Sequence, residues 1–261
     1  MAAENPQLVL VTGGAGRVGR ATVGELKRRG HRVRSFDRAE SPEADENVIG
    51  DLAQFESLRR ASIGATALVH LAATPDDCDN VVGQLIPDNV VGLYHALEAA
   101  REAKVHRIIL ASSGQVNWWQ NQAGGPFPIT LTHPVSPKYW YASTKMMLEA
   151  IGRSYAEMHG QSVVVARLGW CPRTKEQVAE IAASPWAQDV YLSPGDAGRF
   201  FAAAVEAPRD LKYEIVYATS KPLHELRYDL KPAKRLLGFA PLENWPMGVE
   251  VVPGAKEVLG K

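Results

Sequence analysis

The chain is poor in cysteine: Cys78 and Cys171 are its only thiols in 261 residues. Two are too few for a disulfide framework or a thiolate metal site, so no metal is expected. Neither sign of charge is in excess, because 29 basic and 29 acidic residues leave a formal net charge of zero. A chain so balanced lacks the electrostatic footprint of a nucleic-acid or anionic-membrane binder. No apolar run reaches the ~20 residues that cross a bilayer. The opening MAAENPQ has neither the basic flank nor the apolar segment of a secretory leader. Internal repeats and low-complexity tracts are absent as well. These absences leave a cytoplasmic protein with a small-molecule partner, long enough to bury a substantial core in one domain over residues 1–261.

What is present is a regular alternation. LVLVT (8–12), HRVRSFD (31–37), ATALVHLAA (65–73), HRIILASS (106–113), QSVVVARLG (161–169) and YEIVYAT (213–219) read as strands. Between them, RVGRATVGELKRRG, VVGLYHALEAAREA and YASTKMMLEAIGRSYAEMHG carry apolar residues at three-and-four spacing, as amphipathic helices do. Strands alternating with such helices predict an α/β, doubly wound, mostly parallel sheet with helices on both faces. SPGD predicts a helix start capped by Ser193. Residues 114–140, rich in Gly, Pro and Trp, read as a long irregular loop, and such loops usually serve a function. Beyond about residue 220 the pattern weakens to a short helix and an extended tail. Segments 114–140 and 170–261 are expected to face a substrate.

TGGAGRVGR (12–20) lies between the first strand and the first helix. In that context Gly13 permits a tight turn, Gly16 lets backbone approach a pyrophosphate, and Gly19 allows close helix–sheet packing. The helix N-terminus then faces the phosphates. Asp37, closing the second strand, is in place to accept from an adenosine ribose and to repel a 2′-phosphate, which favours NAD over NADP. Arg17 and Arg38 are the two guanidiniums that could instead embrace such a phosphate.

YASTK sets Tyr141 and Lys145 one turn apart on one helix face. A free phenol titrates near ~10, and lowering that by ~3 units takes about 4 kcal/mol. An adjacent ammonium together with an oxidised nicotinamide is expected to supply it. IILASSG ends a strand with Ser112 and Ser113, at the carboxyl edge where open α/β sheets bind ligands.

TGGAGRVG, Asp37, GDL (50–52), HLAA (70–73), ASS (111–113) and YASTK, in this order, resemble the short-chain dehydrogenase/reductase superfamily, in its extended epimerase/dehydratase-like branch. The resemblance covers nearly the whole chain. It implies a Rossmann fold binding NAD, with Val18 at the turn, Asp51 and Leu52 beside the adenine, and Leu71, Ala72 and Ala73 along the cofactor. It implies Tyr141 as acid/base, Lys145 on the nicotinamide ribose, Ser113 polarising the reacting oxygen, and Asn89 supporting the cofactor region. Within the branch, ASSGQVNWW and RLGWC are most similar to uronate dehydrogenases, which oxidise the anomeric hydroxyl of a sugar acid with NAD. That similarity places Cys171 with the cofactor and Thr74, Ser113, Gln115, Trp170 and Arg173 with the substrate. This chain departs from it in having Gly114 and Gln115 where those enzymes carry Asn-His, and Trp170 where they carry Ser.

The expected activity is hydride transfer between NAD and a secondary alcohol or sugar-like hemiacetal. The alternatives are an NAD-retaining epimerase or dehydratase and a non-catalytic dinucleotide-binding protein. Trp118, Trp119, Trp140 and Trp170 are expected to face the substrate, with aromatic surface suited to a sugar ring or a flatter carbonyl compound. The superfamily's usual homodimer would use LYHALEAAREA and KMMLEAIGRSYAEM, with Met146, Met147 and Leu148 as apolar surface.

Overall fold

Seven strands run Leu8–Thr12 (β1), Arg32–Asp37 (β2), Glu46–Ile49 (β3), Ala67–His70 (β4), Arg107–Ser113 (β5), Ser162–Leu168 (β6) and Tyr213–Ala218 (β7). They are all parallel and form one sheet in the order β3-β2-β1-β4-β5-β6-β7. The structure is a computed structural model and describes residues 6–260; most of the residues read for a leader lie outside that range. The helices are Arg17–Arg28 (α1), Phe55–Ser62 (α2), Gly92–Glu102 (α3), Trp118–Gln122 (α4), Trp140–His159 (α5), Lys175–Ala182 (α6), Pro185–Asp189 (α7), Pro194–Glu206 (α8), Lys231–Leu237 (α9) and Ala255–Val258 (α10). Among the described residues, no helix is long and apolar enough to cross a membrane.

Strand alternation explains why the inner strands are apolar throughout. Val9, Val11 and Ile109 pack with Val23 and Leu26 of α1 and Phe200 and Phe201 of α8 on one face. Leu10, Ile108 and Leu110 pack with Leu58, Leu97 and Leu148 of α2, α3 and α5 on the other. Both faces are covered, as a parallel sheet requires. Because the chain moves outward from β1 to β3 and then returns to β4, a crevice opens at the carboxyl ends of β1 and β4.

Four expectations need correction. β3 was not foreseen, because this edge strand, ENVI, buries none of its residues fully and lacks an apolar run. The 114–140 segment is not all loop: a 3-10 turn at Gly114–Asn117 leads into α4. The tail beyond α9 is not extended. It forms a 3-10 turn at Val249–Val251 and then α10, and Trp245, Val249, Val252 and Ala255 pack with Val178 and Ile181 of α6 in a cluster of their own. Leu148 belongs to the core, whereas Met147 is exposed.

The Ser193 cap forms as expected, its hydroxyl accepting the Asp196 N–H at 3.0 Å. Asp196 then does more than begin a helix. Its fully buried carboxylate accepts from Leu242 N (2.8 Å), Glu243 N (3.1 Å), the Ser220 hydroxyl (2.7 Å) and Arg199 (2.6 Å). It therefore fastens the carboxy-terminal segment to α8 and to the end of β7. Asp196→Ala strands those donors and is expected to cost about 2–4 kcal/mol. Urea denaturation checks this, and an unchanged midpoint would contradict it.

Candidate active site

The glycine turn is built for close approach. Gly13 has φ +74°, and a Cβ there would meet Ala72 N at 2.7 Å; one on Gly19 would meet Gly13 O at 2.0 Å. No side chain can occupy either place, so the turn packs backbone to backbone against α1 and against the segment that follows β4. α1 then starts after its N-cap Gly16 with no side-chain capping bond and no acidic residue in its first turn. Its amide donors and positive dipole end are left for an anion from outside the chain. Asp37 Oδ2 accepts the Ala15 N–H at 3.0 Å, tying the turn to the end of β2. These features fit a dinucleotide.

A cleft of about 710 Å³ runs from this turn along the carboxyl edge of the sheet. Gly13, Gly16, Arg17, Val18, Asp37, Arg38, Asp51, Leu52, Leu71, Ala72 and Ala73 line its first part, and Ser113, Tyr141, Lys145 and Cys171 line it further on. The two arginines separate. Arg38 is exposed beside Asp51 (3.8 Å), within the Asp37 region. Arg17 is half-buried among Cys171, Tyr191 and Arg173, its pKa held below the ordinary value by burial and its Nε without a partner. Its company is that of the cleft's far part, which argues against a role on a 2′-phosphate. Burial pushes the Cys171 thiol up to about 12, so it stands there as a neutral group.

The reacting groups converge from two elements. By strand alternation Ser112 turns toward α5, where its hydroxyl donates to Glu149 Oε1 at 2.7 Å. Glu149 in turn holds Arg167 through two hydrogen bonds of 2.9 and 2.8 Å. Ser113 turns the other way, its hydroxyl accepting the Gln115 N–H at 3.1 Å beside the Tyr141 phenol. Lys145 donates to Ala111 O at 2.9 Å and lies 5.5 Å from the Tyr141 ring centroid. Burial brings Lys145 down to about 8 and lifts Tyr141 well above its ordinary value; the Ser113 hydroxyl opposes that rise only in part. The sequence expectation was a phenol lowered by its lysine neighbour together with an oxidised nicotinamide. In the protein alone desolvation wins, because the charged form of either group is disfavoured away from water.

Two candidates sit one layer behind the cleft. Thr74 is buried, its N–H donating to Asn89 Oδ1 (2.8 Å) and its hydroxyl to Asp88 (2.7 Å). Asn89, carried inward by a wide π-type turn at Pro87–Val91, donates to Thr74 O (3.1 Å) and Thr144 Oγ1 (3.2 Å). Neither lines the cleft; together they brace the segment after β4 against α5. Gln115, Trp170 and Arg173 do line it.

The aromatic wall also differs from expectation. Trp119 and Trp140 are exposed and outside the cleft lining. Trp118 and Trp170 line it, joined edge-on by Trp186 at 6.2 and 6.4 Å. Tyr139, 6.4 Å from Trp118, and Tyr228 complete that side. Asp76, Asp77 and Asp88 line it as well and were missed, although PDD (75–77) follows the end of β4 after only four residues and its carboxyl-edge position was a usable signal. Trp186 gave no such signal, since only the packing of α7 brings it there.

Comparison with known proteins agrees with this geometry. Residues 9–170 match the model of the NAD dependent epimerase/dehydratase family. An L-arabinose 1-dehydrogenase (NAD(P)(+)) of Haloferax volcanii is 31% identical, over 93% of this chain and 99% of its own. A uronate dehydrogenase of Pseudomonas syringae pv. tomato is 27% identical over 81% and 74%. The solved glucuronic acid dehydrogenase of Chromohalobacter salexigens superposes with a TM-score of 0.73 at 25% identity, covering 94% and 88%. With a dinucleotide turn, an acidic β2 terminus and a Ser, Tyr and Lys gathered at the carboxyl edge, the chain belongs to the NAD dependent epimerase/dehydratase family.

Proposed function

We propose that the protein is an NAD-dependent dehydrogenase that oxidises a secondary alcohol or hemiacetal hydroxyl of a sugar-like substrate. The observation that carries this reading is the meeting of Ser113, Tyr141 and Lys145 in the same cleft as the glycine turn. Bound NAD supplies the hydride acceptor and, when oxidised, a positive charge. The chain's own groups do the rest. The turn, the α1 amides and Asp37 hold the dinucleotide, and Leu52 with Leu71 to Ala73 forms its bed. The Ser113 hydroxyl hydrogen-bonds the reacting oxygen and steadies its developing charge. The Tyr141 hydroxyl, once ionised, removes the proton from that oxygen. Lys145, in the same dry site, favours the ionised phenol and is positioned for the ribose.

Aromatic walls joined edge to face suit the apolar face of a sugar ring, and relatives named for arabinose and uronate oxidation support a sugar substrate. Mixing protein, NAD and a sugar panel should build up NADH absorbance; product without net NADH would favour the NAD-retaining isomerase. In that assay Tyr141→Phe is expected to lower kcat by about 10²–10⁴ and Ser113→Ala by about 10²–10³. Ser112→Ala, which loses only its bond to Glu149, should instead lower stability by about 1 kcal/mol. Equal activity losses for the two serines would contradict the assignment.

We place the protein in the cytoplasm, where its two unpaired cysteines fit a reducing compartment. A homodimer through α3 and α5 accounts for the exposed Val91, Tyr94, Trp140 and Met147. Sedimentation at micromolar concentration should then give twice the chain mass, and a monomer would remove the dimer.

A further inference from the structure

The far wall of the cleft holds one hydrogen-bond donor and one acceptor that the fold leaves unused, on side chains outside the Ser113, Tyr141 and Lys145 centre. Tyr228 is 4% exposed and Asn121 5%, and both line the cleft together with Gly114, the residue after Ser113. We propose that Tyr228 and Asn121 form a subsite for the substrate hydroxyl on the carbon next to the one oxidised. The phenol donates to that hydroxyl's oxygen, and the Asn121 side-chain oxygen accepts its proton. This rests on the dehydrogenase reading above and adds a required feature of the substrate, a hydroxyl vicinal to the reacting carbon. For a sugar oxidised at its anomeric carbon, that is the 2-hydroxyl.

The phenol is held in place from three sides. Its ring stacks on Tyr217, with centroids 4.5 Å apart and 8° between the planes. Its backbone is fastened to the 114–140 segment, Ile129 N–H donating to Arg227 O at 2.8 Å and Asp229 N–H to Ile129 O at 2.9 Å. The hydroxyl then lies against the backbone of Gly114, where a Cβ would meet it at 2.5 Å, so only glycine leaves room for it. Its oxygen accepts from Asn121 Nδ2 at 2.7 Å. Among the described residues its own proton has only Gly114 O, at 3.4 Å, beyond the ~2.5–3.0 Å of an O–H···O bond. Burial lifts the phenol above its ordinary pKa, so it keeps that proton.

The amide of Asn121 has one orientation. Its Nδ2 donates also to Asn117 O at 3.3 Å, a carbonyl that can only accept. The side-chain oxygen is therefore the atom left over, buried and without a partner among the described residues. Buried polar atoms are rarely left so, and a cleft-lining one points to a ligand. A hydroxyl accepts and donates at once, and so completes both groups. Ser113 takes the reacting oxygen, and the phenol lies at the next residue, which suits the next hydroxyl along the substrate. Tyr228 also lies outside residues 9–170, which match the family model, as befits a contact that sets substrate choice rather than the shared chemistry.

The test uses matched pairs that differ only at carbon 2, at saturating NAD: L-arabinose with 2-deoxy-L-ribose, and D-galactose, D-glucose and D-glucuronate each with its 2-deoxy form. For the best pair, kcat/KM of the parent is expected to exceed that of its deoxy analogue by about tenfold or more. Tyr228→Phe keeps the ring stack and loses the donor. It should lower kcat/KM for the parent by about tenfold and cost the deoxy analogue much less, so the ratio falls toward one. NAD binding, read as tryptophan fluorescence quenching, should be unchanged. Equal turnover of parent and analogue by the unsubstituted protein, or equal losses on both in Tyr228→Phe, would overturn the subsite while leaving the dehydrogenase standing. If NAD quenches the fluorescence but no sugar of any pair yields NADH, the sugar-oxidation reading falls, and the subsite with it.

Discussion

The desolvation of one phenol and one amine constrains everything else at this site. Tyr141 and Lys145 sit on the first turns of α5, beneath the carboxyl edge of the sheet, where water is scarce. There burial disfavours the phenolate and weakens the ammonium. A positive charge arriving in the same cleft favours the phenolate, and the strength of that effect grows as the dielectric falls. The dryness that disfavours the phenolate in the free protein also strengthens the pull of any positive charge placed beside it. A solvated Tyr–Lys pair would ionise independently of such a charge.

The fold serves this arrangement by rigid means. Fully buried strands fix Ser113 relative to Ala111, whose carbonyl holds Lys145. Behind them, Glu149 and Arg167 form a buried ion pair that also takes the Ser112 hydroxyl. Arg167 and the Tyr217 hydroxyl, 3.1 and 2.7 Å away, both donate to Asn117 Oδ1, which anchors the start of the 114–140 segment. A buried network satisfied in this way specifies one arrangement of the wall. Thr74 and Asn89 brace the opposite side.

Legibility in the sequence followed the range of the interactions. The apolar strands, the glycine turn, Asp37 and the Tyr–Lys spacing were readable because each is a local pattern with a local physical cause. β3 was not, since an edge strand needs no apolar run. Thr74 was read with the substrate and Asn89 as supporting the cofactor region, and both lie one layer behind the cleft, because a buried polar side chain and one facing a ligand look alike in sequence. Among the tryptophans expected to face a substrate, 118 and 170 line the cleft and 119 and 140 do not, while 186 was overlooked; only tertiary packing sorts them. The sign of the Tyr141 shift was likewise hidden. The spacing to Lys145 reveals a neighbour, whereas burial, the larger effect here, emerges only from the assembled fold.

The central claim is that Tyr141 is held un-ionised by burial until a positive charge joins it. Tyrosinate difference absorbance against pH, with Tyr141→Phe as the blank, measures that directly. In the free protein residue 141 should ionise above the ordinary tyrosine range, and with oxidised NAD bound at least about 2 units lower. The same ionisation pH with and without NAD, or a phenol already lowered in the free protein, would contradict the account.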